Sequence, residues 1–206
     1  MRPTANTMPL AGAHLCQARH VCAFFHSDDE QYDVTLPYIR DGLAAGHKAV
    51  HIVNPDVRGD HLRRIEAFGM DAAQAQRDGQ LELHDWSDTF FAEGDFSADR
   101  MLGQLEAVLQ AGRGQGYPLT RFVAHAEWGL DPRASLDELL EFEARVNTMW
   151  PEGADSVVCC YDLNRFQGDV VIEALRTHPM VIIGGILQEN PFFVQADRFL
   201  QERRSR

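Results

Sequence analysis

The sequence of 206 residues is short of basic charge, of cysteine and of long apolar runs, and each shortage closes off a class of function. Nineteen Lys and Arg stand against 31 Asp and Glu, for a formal net charge of −12. Binding nucleic acid directly depends on neutralising phosphates with cationic side chains, so no nucleic-acid contact is expected. The same balance argues against adhesion to an anionic membrane. No apolar stretch approaches the roughly 20 residues that cross a bilayer. The opening, MRPTANTMPLAGAHLCQARH, lacks the continuous apolar segment of a signal peptide. The expectation is a soluble cytoplasmic domain. Cys16, Cys22, Cys159 and Cys160 are too few and too unevenly spaced for a disulfide scaffold, and no CxxC pair announces a closed zinc site. Cys159 and Cys160 read as small residues buried on opposite faces of one strand.

What is present is an alternation of short β-rich runs with longer amphipathic segments, the pattern of a parallel sheet covered by helices on both faces. Strands are predicted at 20–26, 48–53, 81–86 (near an edge), 121–128, 156–162 and 180–187. Helices are predicted at about 29–45, 57–68, 98–111, 135–150, 168–176 and 196–203. Pro37 should kink or split the first helix. Ser135-Leu136-Asp137-Glu138 is a capping-box sequence. Residues 1–13 read as a flexible arm and 14–206 as a single domain, a length suited to one core.

In such a fold, ligands sit outside the carboxyl ends of the strands. A nucleotide-binding protein needs glycines, and usually a lysine, directly after the first strand. Here that position reads His26-Ser27-Asp28-Asp29-Glu30-Gln31, with no glycine, no lysine and three carboxylates. Phosphate would meet like charge and side-chain bulk, which argues against nucleotide hydrolysis by a phosphate loop. The acids instead suit a helix start, capped by Ser27 or Asp28.

The run HVCAFFHSDDEQYDVTLPYIRDGLAAGHKAVHIVNPD resembles the opening of the MEDS domain, the methanogen/methylotroph DcmR-type sensory domain. CCYDLNRF (159–166), LRTHPMVIIGG (175–185) and ENPFF (189–193) strengthen the resemblance, which covers about residues 20–200. It implies a three-layer α/β domain with a mainly parallel central sheet, similar to RecA- and KaiC-like ATPases but with a degenerate P-loop. It also implies sensing of small molecules, hydrocarbon derivatives among them, beside a kinase or DNA-binding output domain. At this length no such output domain is expected beside the sensory domain, and its signal is expected to pass through a regulatory partner protein such as a kinase or transcription regulator. A homodimer is compatible with this reading. No cofactor is assigned.

Nine histidines stand out. His26, His84 and His125 fall at or near carboxyl ends of predicted strands, with Asp85, Glu127 and Asp162 nearby. Glu127-Trp128 would offer a charge partner and an apolar wall, and Tyr161 a hydroxyl. The candidate ligand-binding residues are therefore His26, His84, His125, Glu127, Trp128 and Tyr161, with Arg165 and Phe166 as candidates for closing the pocket. No catalytic or metal-ligating residue is assigned, since no GxSxG elbow or HExxH pair occurs. His178, before the last predicted strand, reads as a structural residue that fixes a turn. Two alternatives stay open: a protein-interaction module without a small ligand, and a metal-binding protein or enzyme with a His/carboxylate site at the strand rim.

Overall fold

The computed structural model describes residues 7–16, 19–149 and 155–205. Nine strands and eight α-helices are defined among them. The strands are β1 (Met8–Leu10), β2 (Ala13–Leu15), β3 (His20–Phe25), β4 (Lys48–Val53), β5 (Leu81–Asp85), β6 (Thr120–His125), β7 (Ser156–Asp162), β8 (Met180–Ile183) and β9 (Ile186–Glu189). The helices are α1 (Asp28–Ala44), α2 (Arg58–Ala67), α3 (Ala72–Arg77), α4 (Trp86–Thr89), α5 (Ala98–Gly114), α6 (Leu136–Val146), α7 (Gly168–Thr177) and α8 (Ala196–Arg204).

Seven strands form one sheet in the order β5-β4-β6-β7-β3-β8-β9. Every pairing is parallel except β8 with β9. Because side chains alternate along each strand, the sheet has two distinct apolar faces. Val21, Ala23, Phe25, Val123, Val158 and Cys160 share a core with Tyr32, Tyr38 and Ile39 of α1 and Ile65 of α2. Cys22, Phe24, Phe122, Cys159 and Tyr161 share the other with Leu105 of α5, Leu139 and Phe142 of α6 and Ala174 of α7. Cys159 and Cys160 therefore do point to opposite faces. The result is a three-layer α/β domain with a mostly parallel sheet.

Local chemistry explains the helix starts. Ser27 accepts from the Glu30 amide, Glu30 accepts from the His26 amide, and three acids fill the first turn of α1. The capping box at Ser135 and Glu138 forms as expected. The expected split at Pro37 is corrected: α1 runs unbroken through it.

Four other expectations change. The strand expected over 180–187 is a hairpin, because Gly184 and Gly185 both take positive φ (57° and 71°) and turn the chain back on itself. The strand expected to reach Trp128 ends at His125, and residues 126–130 form a 3-10 turn. The helix expected to end near 111 runs on to Gly114, since Gly112 packs against Thr120 and Lys48 inside it. Over its described part, the arm is not loose: β1 and β2 form a hairpin that buries Met8, Leu10 and Leu15. The expected helix end near Trp150 lies outside the described residues, and α6 stops at Val146. Among the described residues, no helix is long and apolar enough to cross a membrane.

Candidate functional site

Parallel strands bring their carboxyl ends to one rim, and four strand-to-helix junctions enclose a cleft of about 110 Å³ there. Gln31 and Tyr32 come from the first turns of α1, after β3. Asn54 follows β4, His125 and Glu127 follow β6, and Asp162 and Arg165 follow β7. This volume is far below the roughly 300–1,000 Å³ of sites for drug-sized molecules. It suits a ligand of a few heavy atoms.

His125 and Tyr32 connect the cleft to a buried histidine network on the α1 face of the sheet. The Gln31 amide donates to His125 Nε2 at 3.0 Å. Tyr32 Oη lies 2.8 Å from His61 Nδ1, and His61 Nε2 lies 2.9 Å from His51 Nδ1. The His61 and His125 rings meet edge-on, with centroids 6.1 Å apart. Burial depresses His51 to about 3 and His125 to about 4, and it lowers His61 as well. All three imidazoles are therefore neutral at neutral pH. Burial pushes Glu127 up to about 7, against a smaller opposing effect of Arg165. Glu127 Oε2 sits 4.0 Å from His125 Nδ1, too far for a hydrogen bond. Glu127 Oε2 and His51 Nε2 are both buried without a hydrogen-bond partner among the described residues.

Chemically, this is a recognition surface of imidazole, amide and hydroxyl donors and acceptors, with Arg165 and the carboxyls of Asp28 and Asp162 also in the lining, around a buried Glu127 carboxyl raised to about 7. No nucleophile is poised in it. The Ser27 hydroxyl is engaged in capping α1, and burial raises the Cys160 thiol far from ionisation.

The structure brings only part of the sequence-derived set together. His125 and Glu127 line the cleft, as does Arg165. His26 is exposed beside it, with its backbone carbonyl accepting from Asn164. His84 lies on the edge strand β5, 3.2 Å from Glu82, and lines a separate cleft of about 310 Å³ with Val50, Met101 and Phe122. Trp128 is core: it stacks on Phe90 and Phe96, with both centroid separations 4.5 Å. Phe166 is buried against Tyr161 on that same face. Tyr161 donates to Glu143 Oε1 at 3.0 Å, on the sheet face opposite the histidine network. The cleft residues missed in the sequence were Gln31, Tyr32, Asn54 and the network residues His51 and His61. His51 had a visible signal, a polar residue in the middle of the otherwise apolar run AVHIV. His61 had none, because its helix is polar on most sides.

Around Glu143 lies a second buried cluster. His20 Nε2 is 3.1 Å from Glu143 Oε2, and His178 Nε2 is 3.4 Å from the same oxygen. Cys159 Sγ is 3.5 Å from His20 Nε2 and 3.6 Å from Glu143 Oε2. Burial opposes ionisation of Glu143, but the two histidines outweigh it and hold the carboxyl well below its usual range. His178 does sit at a turn, as expected, yet its ring belongs to this cluster.

Comparison with known proteins bears on what the domain is. The family model described as "MEDS: MEthanogen/methylotroph, DcmR Sensory domain" matches residues 19–179. The transcriptional repressor DcmR of Methylorubrum extorquens (strain DSM 6343 / CIP 106787 / DM4) is 25% identical over 170 residues, 82% of this chain and 61% of that protein. The chain thus spans less than two thirds of the length of this relative. The family match runs from the residue before β3 to the residue before β8, so it takes in the whole rim cleft and the histidine network beside it, and the chain belongs to the MEDS family of sensory domains.

Proposed function

We propose that this chain is a non-catalytic sensory domain that binds a small organic molecule in the rim cleft and reports it through a regulatory partner protein. The relative that is a transcriptional repressor supports a partner of the transcription-regulating kind. In this reading the domain is a RecA/KaiC-like core whose phosphate loop has given way to the acidic start of α1. The observation that carries the proposal is the orphaned buried Glu127 Oε2 in the cleft lining. Leaving such a group unpaired costs about 1–3 kcal/mol, and a ligand with one polar head satisfies Glu127 directly. The ligand expected is small and polar at one end: a one- to four-carbon alcohol, amine or carboxylic acid.

The test is a thermal-shift series with those three compound classes on the wild type, Glu127→Gln and Gln31→Ala. One class should raise Tm saturably in the wild type, and the shift should shrink at least severalfold in both variants. Equal shifts in all three proteins, or none with any class, would refute the rim assignment. A second reading has one observation in its favour. The 310 Å³ cleft beside His84 is mostly apolar and larger, so a fully apolar ligand would sit there instead.

A further inference from the structure

The cluster around Glu143 lies on the opposite face of the sheet from the rim cleft, and the proposed sensing does not use it. Four elements supply it: His20 opens β3, Cys159 is in the middle of β7, Glu143 is on α6, and His178 follows α7. All four are buried, and one ligand-type atom from each lies within 4.8 Å of the others.

The hydrogen bonds outside the cluster fix which way the imidazoles face. Asn147 spends its amide nitrogen on the carbonyls of Glu143, Ala144 and Thr177, which leaves its oxygen to accept from His20 Nδ1 at 3.0 Å. His178 Nδ1 lies 2.8 Å from the Ala174 carbonyl oxygen, which can only accept. Both rings therefore carry a proton on Nδ1 and turn Nε2 inward, the arrangement second-sphere partners impose on metal-bound histidines. Tyr161 occupies Glu143 Oε1 and leaves Oε2 facing both Nε2 atoms. Two imidazole lone pairs thus converge on an oxygen that also only accepts, and His178 Nε2 makes no hydrogen bond among the described residues. One proton can bridge one of these contacts; a cation at the centre satisfies all of them at once.

The distances agree with a specific geometry. With bonds of about 2.0 Å to N and O and about 2.3 Å to S, a tetrahedral zinc holds N and O ligands about 3.3 Å apart. The same bond lengths put S about 3.5–3.6 Å from N or O. Four of the six separations are 3.1 and 3.4 Å for the N–O pairs, 3.5 Å for Cys159 Sγ to His20 Nε2 and 3.6 Å for S–O, and the two from His178 Nε2 to His20 Nε2 and to Cys159 Sγ lie within 4.8 Å. The charges also close. Zinc(II) with one thiolate and one carboxylate is neutral, as a buried site requires.

We propose that His20, Glu143, Cys159 and His178 form a closed tetrahedral zinc(II) site that ties α6 and the α7–β8 junction to strands β3 and β7. Binding forms a Zn–S bond as the Cys159 S–H proton leaves to solvent. The two Nε2 lone pairs and Glu143 Oε2 complete the shell. No CxxC-type spacing marks the site in the sequence because its four ligands come from four separate elements.

The experiment uses the full chain, stripped with chelator and titrated with cobalt(II) and then zinc(II). Cobalt should give intense visible ligand-field bands of tetrahedral type and a near-ultraviolet sulfur-to-metal charge-transfer band, both saturating at one equivalent. Zinc should abolish the spectrum and raise Tm. Cys159→Ser should lose the charge-transfer band, whereas Cys160→Ser, on the other face, should keep it. Circular dichroism checks that each variant is folded. If Cys159→Ser is not, Glu143→Gln replaces it, with at least a tenfold loss of cobalt affinity expected. Absence of a stoichiometric cobalt spectrum in the wild type, or a charge-transfer band that survives in folded Cys159→Ser, would overturn the assignment. So would unchanged cobalt affinity in Glu143→Gln.

Discussion

Replacing Glu127 with Gln should change how stability depends on pH, by an amount the burial of the side chain sets. Glu127 is 7% exposed, and its carboxyl moves from an ordinary 4.5 to about 7. Burial comes first among the causes. Asp162 and Asp28 push the same way, Arg165 opposes them, and the nearby His125 stays neutral above about pH 4. A carboxyl with a raised folded-state pKa stabilises the fold relative to its ionised form below the unfolded value. That contribution disappears as pH rises through the folded value. The full span corresponds to roughly 3 kcal/mol, of which about 2.5 kcal/mol should be lost between pH 5 and pH 8.5. Gln keeps the size and neutrality of the protonated acid and does not titrate. Urea denaturation of both proteins at the two pH values gives four free energies. The histidine contributions are common to both proteins and largely cancel in the difference. Glu127→Gln should gain about 2–3 kcal/mol relative to wild type on going from pH 5 to pH 8.5. A wild-type-to-variant difference that stays constant across the two pH values would refute the argument that Glu127 titrates near neutrality.

Other side chains test the placement of the remaining candidates. Trp128→Ala should cost about 3–5 kcal/mol in chemical denaturation, because it opens a cavity among Phe90, Phe96 and Phe142. Trp128→Phe should leave small-molecule thermal shifts intact, as befits a core residue. Gly129→Ala should cost about 1–3 kcal/mol, since its new Cβ would lie 2.7 Å from Leu139 Cδ2. His84→Ala should change stability by no more than about 0.5 kcal/mol, because its side chain is 39% exposed and its Glu82 contact lies at the surface.

The elements of the sheet were legible because their apolar runs were long and punctuated. HVCAFF, KAVHIV and SVVCCYD are strands as read, and Ser27, Ser135 and Gly69 mark helix ends through local hydrogen bonds or a positive φ. The sheet order, the short helix α3 and the reversal at Gly184-Gly185 were not read from the sequence. Order depends on packing between distant segments, and a diglycine inside MVIIGGIL fits a strand as easily as a turn until its φ is known.

The candidate site was half legible. Position after a strand pointed to His125 and Glu127, because all parallel strands end at one rim. Position says nothing about which face a side chain takes. Tyr161 lies on the face opposite the cleft, and Trp128 is carried into the core by the 3-10 turn. The Glu143 cluster left only faint traces: an acid on the buried side of an amphipathic helix, and histidines at or just before the starts of apolar strands. Nothing in linear order links residues 20, 143, 159 and 178.

The nine histidines supply reporters for the central claim, that the rim cleft is where a small molecule binds. They are distributed over the network beside the cleft (His51, His61, His125), the cleft's edge (His26), the apolar cleft (His84), the Glu143 cluster (His20, His178) and remote positions. Imidazole resonances of nitrogen-15 histidine-labelled protein, followed through titrations with the short alcohols, amines and carboxylic acids, locate binding directly. Saturable shifts at His125, followed by His61 and His51, with His84 and the Glu143 cluster unmoved, are the expected result. Shifts that begin at His84, or spectra that none of the three classes alters, would contradict the account.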